Sequence, residues 1–412
     1  MLRPLREEMG IRGGVENLPW NFTATFLVML AAIPAYSALV ARVPRTRAVP
    51  LVYRFFLLHL VAFWALVRLG VAPGLVARAF FVWVSVYNLF VVSVFWSVMA
   101  DLFTAEQGKR IFGFVAAGGS AGAIAGPAVA GLLAAPLGIP ALILVSAGLL
   151  EAATQAMLRL VATTRRGATA SGTPGPGPGS GQGPEPGAGV GGSAWSGIGL
   201  VFRDPYLLGI AAQMLLFTLG STLIYFQTAR LVAAAVPEPA RRTALFAGVD
   251  LAVNVAALLT QSLATGALVT RLGLGAALAL VPALTAAGFL VAAAWPTLAV
   301  VAVFQALRRA ASYAVERPAR EVLFTVVTRE EKYKSKGFID TVVYRAGDAG
   351  SAWLARGLAA AGAGMAGSLL AAVPVGLAGV GVAFWLARRQ RVLEDRARGA
   401  APLRAGDEVA RP

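Results

Sequence analysis

The sequence predicts an all-α polytopic membrane protein built as two pseudo-symmetric helical halves. Three observations carry that expectation. The chain of 412 residues is 58% hydrophobic and 14% charged, with a mean hydropathy of +0.71, where soluble domains run near 25% charged. Apolar runs of about 20 residues, the length that crosses a hydrocarbon core of about 30 Å, recur along the whole chain. A loop motif in the first half of the chain returns in the second.

In order, the candidate spans are roughly 18–41, 50–70, 74–100, 111–136, 139–162, 205–230, 243–268, 275–294, 297–317, 336–360 and 365–388. Five fall in an N-terminal half, 1–163, and six in a C-terminal half, 199–390. The segment 164–198 between them is rich in Gly, Pro and Ser and cannot pack a core, so it reads as a flexible linker. Residues 391–412 form a polar tail.

Thr104 to Phe114 (TAEQGKRIFGF) aligns with Thr328 to Phe338 (TREEKYKSKGF) at an offset of 224 residues, and both stretches precede a span. At that offset the third, fourth and fifth spans fall on the ninth, tenth and eleventh. The partner of the sixth would lie before Met1. A parallel repeat of two six-helix halves is the major facilitator architecture, here with eleven transmembrane helices and the first of twelve expected to be missing. Arginine and lysine cluster on the linker side of the spans, at Arg42, Arg45, Arg47, Lys109, Arg110, Arg165, Arg166 and Arg271, and again from Arg329 to Lys336 and beyond Arg388. The positive-inside rule makes that side cytoplasmic. Residues 1–17 then fall on the opposite side. Arg3, Arg6, Arg12, Arg241 and Arg242 break the charge pattern.

Four stretches resemble a known family: LRPLREEMG at Leu2–Gly10, FWSVMAD at Phe95–Asp101, ERPAREVLFT at Glu316–Thr325, and YKSKGFIDTVVYRAGD at Tyr333–Asp348. They are similar to bacterial relatives of the ATP:ADP translocases. The resemblance implies a major facilitator fold and nucleotide exchange. Members of that family begin with a helix ahead of LRPLR. Their substrate-contacting residues do not transfer here position by position.

The ninth and tenth spans carry charge where charge is expensive, roughly 2.5–3.5 kcal/mol per ionised group at the bilayer centre. Gln305, Arg309, Ser312, Glu316 and Arg320 are spaced to share one helical face. Asp340, Tyr344, Asp348 and Ser351 lie near one stripe of the next span, with Arg345 placed to pair with Asp348. The third span offers Tyr87, Asn88, Ser93, Trp96 and Ser97; the sixth offers Gln213, Thr218, Ser221, Thr222, Tyr225, Gln227 and Arg230. The expected substrate cavity is lined by Arg309, Arg345, Arg230, Asn88, Gln305 and Tyr344. Glu316, Arg317, Arg320, Glu321, Asp340 and Asp348 form a gating or ion-pair set; for Glu316 to Glu321 the other reading is a structural lock between the halves. Asp250 is either a coupling carboxylate, a partner for Arg230, or an acid at the span's outer end. His59 falls on a span expected to face lipid. Gly118, Gly122 and Gly126 suggest close helix packing.

These residues point to a secondary transporter of a small anionic metabolite working by alternating access. The alternatives are a proton-coupled exporter using Asp250, Asp340 or Asp348, and a non-transporting membrane scaffold. With no cysteine and one histidine, thiolate and multi-histidine metal sites are excluded. No P-loop occurs, and no nucleophile or acid–base set is visible. No cofactor, no metal and no enzymatic activity is expected. The net charge of +16 is explained by the loops, so the expected partners are a small-molecule substrate and the lipid bilayer, without nucleic acid. A monomer is favoured.

Overall fold

The computed structural model describes residues 1–42, 45–103, 105–170, 196–263 and 265–399, and these contain helices and no strand. In chain order they are α1 (Leu2–Arg12), α2 (Leu18–Arg42), α3 (Arg45–Arg68), α4 (Pro73–Leu102), α5 (Ala105–Ala170), α6 (Ser196–Arg203), α7 (Pro205–Ala235), α8 (Pro239–Leu263), α9 (Thr265–Ala294), α10 (Leu298–Ala311), α11 (Arg317–Leu323), α12 (Arg329–Phe338), α13 (Tyr344–Ala360) and α14 (Met365–Gly399). Most of the expected linker, and the tail beyond 399, lie outside the described residues.

The eleven expected spans are all present among these residues. Nine segments are long and apolar enough to cross a membrane, and two further features complete the set. Helix α5 has 66 residues and would run about 100 Å if straight, at 1.5 Å per residue. It is broken at Gly138, whose φ of 73° and ψ of 173° are not helical, between Pro136 and Pro140. It is therefore two spans. The second feature is the run α12 to α13, which is too charged to count by hydropathy. It holds together as one continuous helical path through a π turn at Ile339–Val343. A matching π turn, Ser312–Glu316, joins α10 to α11.

Two expectations about segment boundaries change. The stretch from Thr328 to Lys336 is not a loop: Thr328 and Glu331 make a reciprocal capping box that starts α12, the arrangement a T-x-x-E sequence favours. The tail is helical to Gly399, because α14 continues past the span.

Helices α1 to α5 pack as one bundle around Leu5, Tyr53, Phe56, Phe80, Val84 and Leu142. A second bundle, α6 to α14, packs around Tyr206, Leu207, Leu278, Val315, Phe324 and Ile339. A third apolar cluster joins them, with Ile11, Leu18, Phe22 and Phe81 against Phe226, Ala229, Val232 and Phe246. Large apolar side chains such as Leu58, Leu132 and Leu263 are exposed on the outside. That suits a lipid surround, where leucine loses nothing by facing out.

The break in α5 depends on one glycine. Replacing Gly138 by alanine places a Cβ no nearer than 3.8 Å to Pro140, so its cost is the positive-φ extended backbone alone, about 1–3 kcal/mol. Gly122→Ala in the same helix meets open space and gains helix propensity. Thermal unfolding in detergent is expected to show the first variant destabilised and the second not.

Candidate functional site

Between the bundles lies a polar cavity of about 150 Å³. Helix α1 contributes Arg3, Arg6 and Glu7; α7 contributes Ser221, Thr222, Tyr225 and Thr228; α8 contributes Asp250. The α10–α11 path contributes Gln305, Arg308, Arg309, Ser312, Tyr313 and Arg317, and α13 contributes Tyr344, Arg345 and Asp348. Six arginines thus face three carboxylates.

Each carboxylate is within reach of a guanidinium. Asp250 Oδ1 is 2.7 Å from Arg309 Nη2 and 3.7 Å from Arg3 Nε. Asp348 Oδ2 is 3.4 Å from Arg345 Nη1, and its Oδ1 accepts a 3.0 Å hydrogen bond from Thr222. Glu7 Oε1 is 3.1 Å from Arg6 Nη1. Asp250 therefore bridges the bundles, with Arg3 on one side and Arg309 on the other. Arg309 is nonetheless under-used. Its side chain is 12% exposed, and neither Nε nor Nη2 has an aligned hydrogen-bond acceptor. Buried donors of this kind are rare and costly unless a ligand completes them.

Arg308 is buried differently. Its Nε donates to Thr285 Oγ1 at 3.0 Å and its Nη2 to the Phe217 carbonyl at 2.7 Å, with the guanidinium carbon 4.7 Å from the Phe217 ring centre. Tyr313 is held from three sides. Its hydroxyl accepts from Arg3 Nη1 at 3.0 Å, its carbonyl from Gln261 Nε2 at 2.9 Å, and Arg317 lies over its ring at 4.5 Å.

The expected residues divide. Arg309, Arg345, Gln305 and Tyr344 line the cavity, as do Arg317, Asp348 and Asp250. Asn88 and Arg230 do not. Asn88 is exposed, and its helix α4 is kept from the cavity by α1: Arg6 packs 3.8 Å from the Phe81 ring centre and donates to the Phe81 carbonyl at 3.4 Å. The neighbouring Tyr87 belongs to an aromatic stack with Phe56 and Trp83. Arg230 is not Asp250's partner, since Arg309 and Arg3 take that place.

Glu316, Arg320 and Asp340 also leave the cavity, and the π turns explain it. A π turn carries an extra residue and rotates everything after it relative to an α-helix. After Ser312 the cavity face passes to Tyr313 and Arg317. Glu316 turns away, 98% buried, into a small side chamber with Gln213, Thr285 and Arg308. There it accepts from Ser312 Oγ at 2.9 Å and sits 3.6 Å from Arg320 Nη1, whose Nη2 is 3.5 Å from Asp340. Glu321 pairs with Lys336 at 2.7 Å. The Ser312–Glu316 and Glu316–Arg320 contacts lie within α10–α11, and the Arg320–Asp340 and Glu321–Lys336 pairs join it to the helical path from α12 to α13 in the same bundle; none of the four is a lock between halves in this state.

Residues Arg3, Arg6, Glu7, Arg308 and Tyr313 were missed as site residues. Residues 2–12 form α1, a helix built into the protein. Leu5 and Glu8 are fully buried, and α1 packs on α4 and α8. The signal was present: Arg3, Arg6 and Arg242, exceptions to the charge rule, each meet a carboxylate. Glu8 takes two hydrogen bonds from Arg242, at 2.7 and 3.0 Å.

The cavity is closed at one end and approached from the other. At the far end α1 joins α8 through Glu8–Arg242, and α2 joins α13 through a 2.9 Å bond from Trp353 Nε1 to Thr23 and a Trp20–Trp353 ring contact. Helices α5 and α8 touch at Gly131 and Ala247 and again where Asn254 Nδ2 donates to the Ala123 carbonyl at 2.8 Å. Towards the linker-side end they part around a vestibule of about 520 Å³, lined by Ser120, Asn254, Gln261, Tyr313, Arg317 and Glu321 among others. A Cβ added at Gly118, Gly119 or Gly122 would have nothing within 4 Å. The expected close packing is absent there, and only Gly126 is approached, by the Met1 nitrogen.

Two helical bundles enclosing a central polar cavity define a multi-pass membrane protein of major facilitator architecture. Among solved structures, the chain is similar to a point mutant of the nucleoside transporter NupG, with a TM-score of 0.57 at 12% identity over 95% of this chain and 94% of that one. It is also similar to a bacterial homologue of the iron transporter ferroportin in an outward-facing state, with a TM-score of 0.52 at 17% identity over 94% and 98%. No protein-family model and no curated protein sequence matches the chain. The likeness supports the fold; the narrower resemblance to the ATP:ADP translocases has no counterpart in it.

Glu8 is fully buried and Arg242 nearly so. Removing one partner of such a pair strands the other, at about 3–5 kcal/mol. Glu8→Ala is expected to lower the unfolding temperature sharply in detergent, and the double variant Glu8→Ala/Arg242→Ala to recover part of the loss.

Proposed function

We propose that this protein is a secondary transporter that carries a small anionic metabolite across a bacterial inner membrane by alternating access. The observation that carries the proposal is the excess of six arginines over three carboxylates in the cavity, where Arg309 Nε has no hydrogen-bond acceptor and Nη2 meets only Asp250, at 2.7 Å but without an aligned hydrogen bond. A guanidinium fork offers paired donors that match carboxylate or phosphate oxygens. The ligand suited to that vacancy is an anion. The pairing of all three cavity carboxylates with arginines also favours an anion carrier over a proton-coupled exporter, because each acid already serves as a counter-ion.

The closed far end and the open linker-side vestibule support alternating access. In this state α5 and α8 form a wedge whose apex lies at Ala123–Asn254. The excess of arginine and lysine on the linker side places the linker and C-terminus in the cytoplasm, and the vestibule with them. The domain division at 164–198, and action as a monomer without nucleic acid, belong to the same proposal.

Nucleotide exchange is the narrower reading, motivated by the resemblance of Glu316–Thr325 and Tyr333–Asp348 to ATP:ADP translocase relatives. Proteoliposomes preloaded with ADP are expected to take up labelled ATP. Absence of that exchange, alongside uptake of another organic anion, removes nucleotides and keeps the anion carrier. Arg309→Ala is expected to lower transport at limiting substrate by about ten- to a hundred-fold, the scale of one charged hydrogen-bonding group. Unchanged transport in that variant contradicts the proposal.

A further inference from the structure

The polar cavity is small. At about 150 Å³ it falls below the roughly 300–1,000 Å³ of pockets that hold drug-sized ligands, and its polar lining is dominated by guanidinium groups. The vestibule is the opposite. At about 520 Å³ it is inside that range, and it carries one arginine. The two spaces share Tyr313 and Arg317 and so abut across one aromatic ring.

The vestibule wall has its own hydrogen-bonding character. Asn254 and Gln261 both spend an amide N–H on the protein, on the Ala123 and Tyr313 carbonyls respectively. Their side-chain carbonyl oxygens accept no hydrogen bond among the described residues, and both side chains line the space. Ser120 adds a hydroxyl, although its proton is directed to the Ala116 carbonyl at 3.2 Å. Glu321 adds a carboxylate already paired with Lys336. What remains is a set of acceptors lining the same space as Tyr313. Acceptors left over in this way select a ligand that supplies donors.

We propose that the substrate site is bipartite: the arginine cavity takes the anionic group, and the vestibule takes an uncharged body bearing hydroxyl or amino donors, which packs on Tyr313 and bonds to Asn254 and Gln261. The proposal rests on the anion reading above and adds the class of substrate, an organic phosphate or carboxylate with a hydrogen-bond-donating body. Simple inorganic anions fill only the inner half. Tyr313 and Arg317 stand at the junction and contact both parts of the molecule.

Binding to the purified full-length chain in nanodiscs tests this with two matched pairs. One compares inorganic phosphate with adenosine monophosphate; the other compares propionate with gluconate. The donor-bearing member of at least one pair is expected to bind about ten-fold or more tightly than its partner. The double variant Asn254→Leu/Gln261→Met is expected to abolish that preference while binding the simple anion as before, which also shows that the variant is folded. If the double variant binds nothing, the single variants Asn254→Leu and Gln261→Met are each expected to reduce the preference. Equal affinity within both pairs, or a variant that keeps the preference, overturns the bipartite site and leaves the anion carrier standing. Binding of none of the four compounds by the unaltered protein overturns both.

Discussion

An arginine held inside a membrane-spanning bundle has to be given acceptors, because lipid supplies none and water only where a path exists. Much of this architecture follows from meeting that requirement for five of the six cavity arginines, the sixth, Arg317, being exposed and stacked on Tyr313. Arg308 is met by a threonine hydroxyl and a backbone carbonyl, Arg6 by Glu7 and the Phe81 carbonyl, Arg345 by Asp348, and Arg3 by Tyr313 and Asp250. Arg309 Nη2 is 2.7 Å from Asp250 Oδ1 without an aligned hydrogen bond, and its Nε has no acceptor. Asp250 is shared between Arg3 and Arg309, so the bridge that joins the two bundles at the cavity is also the place where positive charge is least satisfied. An anion arriving there competes with Asp250 for both guanidinium groups. Substrate binding and the contact between bundles are thereby linked through a single carboxylate.

The two π turns give this arrangement its geometry. An uninterrupted α-helix through residues 305–320 would aim Gln305, Arg309, Ser312, Glu316 and Arg320 into the cavity together, mixing an acid into the arginine set. The turn at Ser312–Glu316 moves Glu316 aside and brings in Tyr313 and Arg317. The turn at Ile339–Val343 accompanies the withdrawal of Asp340, which meets Arg320 behind the cavity wall. The effect is to separate a structural ion cluster from a ligand-facing one along the same pair of helices. Tyr313, fixed by Arg3, Gln261 and Arg317, then divides the inner cavity from the vestibule.

The spans were legible because apolar length is a one-dimensional property, and the pairing of Arg345 with Asp348 was legible because three-residue spacing survives within α13. The register beyond Ser312 was not legible: nothing in ASYAVERPAR marks a π turn by composition, so a stripe drawn with α-helical period drifts off the true face. The placement of α1 was misjudged for a different reason. Its arginines and glutamates look like solvent charges, yet Glu8 is buried against Arg242, which lies 234 residues away in sequence, and sequence spacing carries no record of so distant a pair. Asn88 failed because a polar residue on the expected helix is not on the expected face once α1 lies between α4 and the cavity. The glycine run of α5 has the composition of a packing seam, and in this state it borders open space.

The central claim is that Arg309 is the seat of an anion. Electron cryo-microscopy of the full-length chain in nanodiscs, saturated with the tightest-binding organic anion, addresses it directly. The expected result is ligand density within hydrogen-bonding distance of Arg309 Nε and Nη2, with Asp250 displaced from the 2.7 Å contact it makes here. Ligand density seated on Asp250 or Asp348 with Arg309 uninvolved, or an unaltered Arg309–Asp250 pair beneath a bound ligand, would contradict the account.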